Sequence, residues 1–225
     1  MSSRVLSLFL VIIFAYGAFS MAEEVKGKRL LFVGNSITLH GPSEQIGWAG
    51  NWGMAASTEE KDYVHLVVDA VAKRLGKKPE FRVVNLAEFE RNYSTFDAAQ
   101  KLKEELAFQA DAVIVAIGEN VPALNTDGEK AKFTASAARL LALLKREGQS
   151  QVYVRSCFWP DAAKDTALKE ACTANGGVFV DIAALAKDER NYARSERKIA
   201  HAGVAGHPGD QGMRAIADAI NAALR

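Results

Sequence analysis

Short apolar segments alternate with amphipathic segments along most of this chain, and this alternation limits its fold more than any other feature. Five segments have the length and apolar content of buried strands, and each is followed by a segment with helical periodicity. The strands are predicted at residues 29–33, 81–86, 112–117, 151–155 and 178–181. The helices are predicted at residues 61–75, 96–108, 130–146, 161–171 and 213–224. Strands that alternate with helices form a parallel sheet through right-handed crossovers, so we predict an α/β three-layer sandwich with a five-stranded parallel sheet flanked by helices.

The N-terminal residues have a different composition from the rest of the chain. Arg4 precedes an apolar run over residues 5–16, and small residues recur up to Ala22. This order is typical of a secretory signal peptide. The apolar run is shorter than the ~20 residues that a membrane-spanning helix needs, and no cysteine stands near the cleavage region. We therefore predict a signal peptide at residues 1–22, one domain at residues 23–225, and a secreted or periplasmic protein.

Charge and cysteine content narrow the possible partners and cross-links. The formal net charge is +1 over 225 residues, which gives no attraction to nucleic acid or to an anionic membrane. We expect no nucleic-acid partner and no stable membrane insertion of the mature chain, and the sequence leaves the oligomeric state open. Cys157 follows a predicted strand, whereas Cys172 lies late on the next helix. A rise of ~1.5 Å per helical residue puts them beyond the reach of a disulfide, so both are predicted to be free and buried.

Polar blocks stand where two predicted strands end and where the last helix begins. Gly34-Asn35-Ser36 follows the first strand, and Gly118-Glu119-Asn120 follows the third. His207-Pro208-Gly209 precedes the closing helix. In an open parallel sheet, ligands bind at the carboxyl ends of the strands. We therefore expect these blocks to line one crevice.

These three blocks, in this order, resemble those of the SGNH (GDSL-like) hydrolases, with Gly-Asn-Ser in place of the more familiar Gly-Asp-Ser. The resemblance extends over nearly the whole chain after the signal peptide. It implies a flavodoxin-like SGNH hydrolase fold and a domain of SGNH-hydrolase type at residues 23–225. It also implies a serine esterase that needs no metal or other cofactor, with Ser36, Asn120 and His207 as catalytic residues. The four histidines show no metal-ligand pairing on a helix, which also disfavours a metal hydrolase.

Each of the three residues suits a step of ester hydrolysis. A serine hydroxyl needs an adjacent base to accept its proton, and an imidazole such as that of His207 titrates near neutral pH. The tetrahedral oxyanion needs preformed hydrogen-bond donors. By the resemblance, these donors are the Asn120 amide, the Ser36 N–H and a backbone N–H of a second block. The alternative for Asn120 is an ordinary cap of the turn after its strand.

The second block departs from the family pattern. Its glycine normally stands about five residues after an asparagine at a strand end, and counting from Asn85 places Glu90 there. A glutamate N–H can still donate a hydrogen bond, but the conformational freedom and close approach of glycine are lost. The donor of this block is therefore not assigned to a residue.

The acid of the expected triad is also missing. It normally lies three residues before the histidine, where this chain has Val204. Either an acid such as Asp181 comes from elsewhere, or Ser36 and His207 act as a dyad with a carbonyl holding the Nδ1–H. We favour the dyad. Asp210 is expected to be the N-cap of the last helix, and His201 is either an accessory residue or a histidine at the surface or packed in the fold.

The loop after Ser36 is the main indication of substrate. Residues 38–57 form a long connection, predicted without secondary structure, and such loops tend to be functional. Trp48 and Trp52 in this loop form either a flat platform for a sugar ring or a plug that holds the loop against the domain. Four further residues follow strand ends and are candidates to line the crevice: Arg91, Tyr93, Phe158 and Trp159.

These features favour a secreted esterase that removes O-acyl groups, most simply O-acetyl groups, from a glycan. A polar and aromatic crevice suits an acetylated carbohydrate better than a long acyl chain. Two alternatives stay open. The first is a lipase or thioesterase-like acyl hydrolase, and the second is a catalytically idle carbohydrate-binding protein with the same fold.

Overall fold

The computed structural model describes residues 29–224, apart from the side chain of Glu147. The predicted signal peptide at residues 1–22 and the domain boundary at residue 23 lie outside the described residues. Among the described residues, no helix has the length and apolar character needed to cross a membrane.

Five strands form one sheet, and every strand pairing in it is parallel. Their order across the sheet is β2-β1-β3-β4-β5, with β1 (Arg29–Gly34), β2 (Glu80–Asn85), β3 (Ala112–Ala116), β4 (Gln151–Arg155) and β5 (Val178–Val180). The register places Gly34 beside Asn85 on one side and Ala116 on the other. The carboxyl ends of β1, β2 and β3 are therefore level, and the residues that follow them meet at one edge.

Helices cover both faces of the sheet, as predicted for a three-layer α/β sandwich. The helices between the first and third strands are α1 (Tyr63–Leu75), α2 (Ala87–Asn92), α3 (Ala98–Lys101) and α4 (Lys103–Ala107). Those that follow the third strand are α5 (Asp127–Lys145), α6 (Ala162–Ala174), α7 (Ala193–Glu196), α8 (Ala202–Ala205) and α9 (Asp210–Ala223).

Alternate residues of the strands pack into two separate cores, because successive side chains of a strand point to opposite faces. Leu31 and Val33 of β1 pack with α5 and α6 in one core. Leu30 and Phe32 pack with α1 and α9 in the other. Burial of each such side chain contributes roughly 1.5–3 kcal/mol, so the two cores fix the sheet firmly beneath the loops at its edge.

Helix ends differ from the sequence prediction where side-chain caps intervene. Helix α5 begins three residues earlier than expected because Thr126 and Glu129 form a reciprocal capping box. The predicted helix at 96–108 is instead the two short helices α3 and α4, since Leu102 between them leaves the helical conformation. Helix α2 was not predicted at all, because its six residues are too few to show a period.

The two cysteines are buried and free, as predicted. Cys157 follows β4 and Cys172 lies in α6. Both side chains belong to the core between the sheet and helices α5 and α6. They act there as small apolar residues.

Candidate active site

Ser36 and His207 are in hydrogen-bond contact at the carboxyl edge of the sheet. The distance between Ser36 Oγ and His207 Nε2 is 2.9 Å. Ser36 lies two residues beyond the end of β1, and His207 lies three residues before the start of α9. The sequence predicted that these distant blocks would converge, and the fold brings them together.

The turn that carries Ser36 is fixed by Asn35. The Asn35 side chain is fully buried, and its Oδ1 accepts a hydrogen bond from the Ile37 N–H at 3.2 Å. Its backbone carbonyl accepts hydrogen bonds from the N–H groups of Thr38 and Leu39, both at 2.9 Å. A Cβ at Gly34 would lie 2.9 Å from the Ala116 carbonyl oxygen, so no larger residue fits without a shift of the backbone. The turn therefore holds the serine hydroxyl in one place.

The imidazole of His207 is oriented by a backbone carbonyl. His207 Nδ1 lies 2.7 Å from the carbonyl oxygen of Gly203, in the short helix α8. A carbonyl only accepts, so Nδ1 carries the proton and Nε2 is left to accept from the Ser36 hydroxyl. Burial lowers the pKa of His207 below its ordinary value, despite the opposing effect of the Gly203 carbonyl. The neutral form, which a general base requires, is therefore favoured at neutral pH.

The position of the missing acid is occupied by a buried apolar contact. Val204 is 3% exposed and packs with Met54, Ala55 and Ala193 in a small third cluster. This cluster joins the loop at residues 38–57 to the segment that carries the Gly203 carbonyl. The valine thus holds the histidine-bearing segment in place by packing rather than by charge.

The aspartates considered as alternative acids have other partners. The carboxylate of Asp181 accepts hydrogen bonds from the Ala183 N–H at 2.9 Å and the Ser156 hydroxyl at 3.4 Å. The carboxylate of Asp210 binds the N–H and hydroxyl of Ser57 and the Lys61 ammonium. Neither aspartate has a hydrogen bond to the imidazole among the described residues.

The structure gives Asp210 and His201 supporting roles near the site. The expectation that Asp210 is the N-cap of the last helix is wrong, because Gly209 is the N-cap and Asp210 is the first helical residue. Its carboxylate instead accepts hydrogen bonds from Ser57 at the end of the loop at residues 38–57. His201 is exposed and caps α8, because its Nδ1 accepts a hydrogen bond from the Val204 N–H at 3.3 Å.

Asn120 shares the Glu90 carboxylate as a hydrogen-bond partner with Asn35, the residue before Ser36, and its side chain does not cap a turn. Its Nδ2 donates to Glu90 Oε2 at 2.6 Å. The other Glu90 oxygen accepts from the Gly118 N–H at 2.5 Å, the Asn35 amide at 3.0 Å and the Asn120 N–H at 3.3 Å. Glu90 is fully buried, and burial together with the neighbouring Glu119 raises its pKa. Glu90 lies inside α2 and joins the site through its carboxylate.

A buried ion pair lies beneath the same loop. Glu119 Oε1 accepts from Arg155 Nη1 at 2.6 Å and from the Phe158 N–H at 2.9 Å, and Oε2 accepts from the Asn35 amide at 2.6 Å. The Arg155 and Glu119 side chains are 0% and 3% exposed. Burial alone would raise the pKa of Glu119, but the Arg155 guanidinium and these hydrogen bonds hold it below its ordinary value. Arg155 and Glu119 thus support Asn35 from below.

Glu119, Arg155 and the Glu90 side chain were not predicted from the sequence as parts of the site. The sequence contained one signal for Arg155 and one for Glu119. Arg155 is a charged residue at the end of an apolar strand, and Glu119 stands between the motif residues Gly118 and Asn120. A carboxylate and a guanidinium at the ends of adjacent strands are positioned to pair, as they do here.

The two loop tryptophans do not form a flat platform. Their rings pack edge to face, with an interplanar angle of 74° and centroids 5.6 Å apart. The indole N–H of Trp48 donates to the His40 carbonyl at 2.9 Å, and that of Trp52 donates to the Ala56 carbonyl at 3.1 Å. Of the two alternatives left open by the sequence, the flat platform is not formed, and the one in which these residues hold the loop describes them.

The loop itself has more structure than the sequence predicted. It contains a 3₁₀ helix at Glu44–Ile46 and isolated antiparallel bridges between His40 and Trp52 and between Ser43 and Trp48. At its far end, the Met54 N–H donates to the Ser36 carbonyl at 2.8 Å. The loop therefore returns to the serine turn and braces it.

Of the four further crevice candidates, Trp159 lies beside the site. Its ring packs edge-on against His207 with centroids 5.1 Å apart, and its indole N–H donates to the Gly206 carbonyl at 3.2 Å. Phe158 is fully buried in the core. Tyr93 packs on a core phenylalanine with centroids 5.1 Å apart, and Arg91 is exposed with no ion pair among the described residues. Among residues 29–224, no three His, Cys, Asp or Glu side chains are grouped so that they could hold a metal ion.

No protein-family model and no curated protein matches the sequence. Several solved structures resemble it at low identity. A protein described as a GDSL-like lipase from Bacteroides ovatus gives a TM-score of 0.54 at 12% identity, over 88% of this chain and 98% of its own. The acetyl xylan esterase AlAXEase gives 0.50 at 16% identity, over 88% of this chain and 100% of its own.

A third similar structure is the acetyl xylan esterase Est2A from Butyrivibrio proteoclasticus, with a TM-score of 0.51 at 15% identity. It aligns over 88% of this chain and 63% of its own length. Similarity at this level of identity concerns the fold, and the fold agrees with the one that the three sequence blocks imply. The chain therefore has the SGNH (GDSL-like) hydrolase fold.

Proposed function

We propose that this protein is a serine esterase that hydrolyses O-acyl esters, with Ser36 as nucleophile, His207 as general base and Asn120 in the oxyanion site. The observation that carries this proposal is the 2.9 Å contact between Ser36 Oγ and His207 Nε2, together with the 2.7 Å contact between Nδ1 and the Gly203 carbonyl. A base that is held in the correct tautomer and touches a fixed hydroxyl is the arrangement that nucleophilic catalysis requires.

The reaction would proceed in two half-reactions. His207 Nε2 takes the Ser36 proton while Oγ attacks the ester carbonyl carbon, and the carbonyl oxygen becomes an oxyanion. The imidazolium then protonates the leaving alcohol, and the carbon–oxygen bond to the alcohol breaks, which leaves an acyl-enzyme. Water then attacks the acyl-enzyme in the same way. His207 takes a proton from the water, and the resulting hydroxide attacks the acyl carbon. The bond to Ser36 Oγ breaks, the imidazolium returns the proton to Oγ, and the acid is released.

Two donors are available for the oxyanion. No group among residues 29–224 accepts a hydrogen bond from the Ser36 N–H. The Asn120 amide has two N–H bonds, of which one is given to Glu90 and the second is available to substrate. Donors of this kind are worth about 10²–10³-fold in rate each.

A dyad stabilises the imidazolium less than a triad does. The Gly203 carbonyl offers Nδ1–H a dipole, whereas the carboxylate of a triad offers a full charge. The lowered pKa of His207 reflects this environment, with burial as its main cause. Esters are more reactive than amides, so we expect the dyad to suit ester substrates rather than peptides.

The alcohol part of the substrate is proposed to be a carbohydrate and the acyl group an acetyl. His207 protonates the leaving alcohol, so the half-buried Trp159 beside it would face the alcohol portion. An aromatic ring in that position suits the apolar face of a sugar. Two of the similar structures are described as acetyl xylan esterases, which agrees with this substrate class.

A lipase-like acyl hydrolase is the second candidate, since another similar structure is described as a GDSL-like lipase. A panel that combines acetylated sugars with nitrophenyl esters of graded chain length separates the two. Under the proposal, acetyl esters are hydrolysed fastest and the rate falls as the chain lengthens. Faster hydrolysis of long acyl chains would favour the lipase-like function.

The serine mechanism is tested by Ser36→Ala, with Ser94→Ala as a matched control at an exposed serine. We expect Ser36→Ala to lose hydrolysis and to keep its thermal unfolding midpoint, because a single partly exposed hydroxyl is removed. The control should keep both. Glycan binding without turnover in the wild type would instead indicate a catalytically idle binding protein, and wild-type rates in Ser36→Ala would exclude the proposed nucleophile.

A further inference from the structure

Glu90 stands where the resemblance leads us to expect a glycine, and the structure gives its side chain a specific environment. The side chain is fully buried, and the groups that contact its oxygens are all N–H donors. They come from three residues: the backbone and side chain of Asn120, the backbone of Gly118, and the side chain of Asn35. A carboxylate with this number of donors is fixed in position and orientation.

The shortest of these contacts to a side chain is the one to Asn120. Its Nδ2 lies 2.6 Å from Glu90 Oε2. The carboxamide is planar, so once one Nδ2–H points at the carboxylate, the direction of the second Nδ2–H is fixed as well. A charged acceptor also makes this hydrogen bond stronger than a bond between neutral groups. The orientation of the donor proposed for the oxyanion is thus set by Glu90.

The same carboxylate also fixes the backbone that carries Asn120. Glu90 Oε1 accepts from the N–H of Gly118 at 2.5 Å and from that of Asn120 at 3.3 Å. Gly118 has a φ of +128°, a conformation that side chains disfavour. Glycine adopts this conformation readily, and the two hydrogen bonds accepted by Glu90 in α2 hold the segment in it.

We propose that Glu90 is a positioning residue, which aims the free N–H of the Asn120 amide at the oxyanion. This inference rests on the proposed esterase function. It accounts for the departure at the second block: a side chain of this block orients a donor, in place of a glycine N–H that would be a donor itself.

The variant that tests this idea is Glu90→Gln. It keeps the size of the side chain but introduces an NH₂ group, and every neighbour of the Glu90 oxygens is already a donor. Asn120 must then flip or withdraw, and its N–H no longer points at the oxyanion. Glu88→Gln is the matched control, because Glu88 lies two residues away in the same helix, is exposed, and contacts Lys101.

The readout is a double-mutant cycle on acetyl-ester hydrolysis with Glu90→Gln, Asn120→Ala and the double variant. We expect Glu90→Gln to lower kcat about 10²–10³-fold, close to the effect of losing one oxyanion donor, with KM within about twofold. If Glu90 acts through Asn120, the second substitution adds almost nothing to the first. Additive losses in the cycle, or a wild-type kcat in Glu90→Gln, would overturn the proposal.

Glu90→Asp provides a second test if Glu90→Gln does not fold. It keeps the charge and withdraws the carboxylate from Asn120 by one methylene, so the same loss of kcat and the same coupling are expected. A third measurement uses the wild-type protein and an NMR spectrum of side-chain amides. One Asn120 Hδ2 signal, identified by its loss in Asn120→Ala, should lie far downfield, and an ordinary shift for both protons would contradict the proposal.

Failure of this inference is distinguishable from failure of the proposed function. If Ser36→Ala retains hydrolysis, the esterase mechanism is wrong, whereas the NMR signal still tests the contact between Glu90 and Asn120. If Ser36→Ala is inactive and Glu90→Gln behaves as wild type, the mechanism stands and only the role of Glu90 is rejected.

Discussion

The buried ion pair between Arg155 and Glu119 gives the sharpest prediction of stability. Glu119→Gln removes the charge that compensates a guanidinium with 0% of its side chain exposed. Arg155 Nε and Nη2 already have no hydrogen-bond partner among the described residues, so little else offsets the charge. Removing one partner of a buried pair costs about 3–5 kcal/mol. For a chain of this size, that corresponds to a fall of roughly 6–20 °C in the midpoint of thermal unfolding.

The matched control is Glu189→Gln. Glu189 pairs with Arg194 at the same 2.6 Å distance, but the two side chains are 63% and 44% exposed. Exposed pairs of this kind contribute little to stability. We therefore expect the unfolding midpoint of Glu189→Gln to match that of the wild type within experimental error, so that the comparison isolates the effect of burial.

The pH dependence of the Glu119→Gln effect provides an independent check. The pKa of Glu119 is lowered in the folded protein, so its contribution to stability is present above the ordinary value of 4.5 and is lost as the pH falls through the folded pKa. The difference in unfolding free energy between wild type and Glu119→Gln, measured by urea titration, should be full at pH 7 and shrink below pH 4.5. A difference under 1 kcal/mol at pH 7, or one that does not shrink in acid, would refute this account.

Three further predictions concern the base, the missing acid and the N-terminus. Because the pKa of His207 is lowered, kcat/KM should stay high until the pH falls below 6.5 and then decrease as the imidazole is protonated. A decrease of kcat/KM that begins above pH 6.5 would contradict this prediction. Asp181→Asn and Asp210→Asn should each keep kcat within roughly tenfold of the wild type, which corresponds to about 1.4 kcal/mol in the activation free energy. A loss near 10⁴-fold in a folded variant would identify that residue as a triad acid. The protein isolated from its native host should begin near Glu23, which an intact-mass measurement would disprove if residues 1–20 remained.

The fold was predictable because its signals are local and repeated. Strand β4 was predicted with its observed ends, β1, β3 and β5 differ by one residue at one end, and β2 is displaced by one residue at both ends. The two-core arrangement follows directly from strands that are apolar on both faces. The divided helix at residues 96–108 was not predictable in the same way. Leu102 is fully buried, and its packing interrupts a segment whose residues otherwise favour one continuous helix.

The site was predictable where a motif fixes a residue at a strand end, and not where side chains reach across elements. Ser36 and His207 were predicted together, and the structure puts them in contact; their catalytic roles stay predictions. The carboxylates of Glu90 and Glu119 were not predicted, although Glu119 stands within a motif. Their partners lie on different elements, and only the tertiary arrangement shows that Asn35 donates to both.

The structure also changes what can be expected from restoring an acid at position 204. Val204→Asp would complete a triad and could raise kcat only if this segment followed the geometry of the family that the sequence resembles. The Val204 side chain instead packs against Met54, Ala55 and Ala193, so an aspartate would place a carboxylate in a buried apolar cluster. The likeness to the family therefore does not extend to this side chain, and the variant should lose stability rather than gain rate.

The two departures from the family pattern have a common physical basis. At both positions, a group that normally acts directly is replaced by one that acts through its neighbours. Val204 anchors the segment whose Gly203 carbonyl holds His207, and Glu90 holds the loop whose Asn120 amide is proposed to bind the oxyanion. Catalysis in such a site depends on how rigidly the neighbours are held. Substitutions in the supporting contacts are therefore expected to lower kcat before they alter substrate binding.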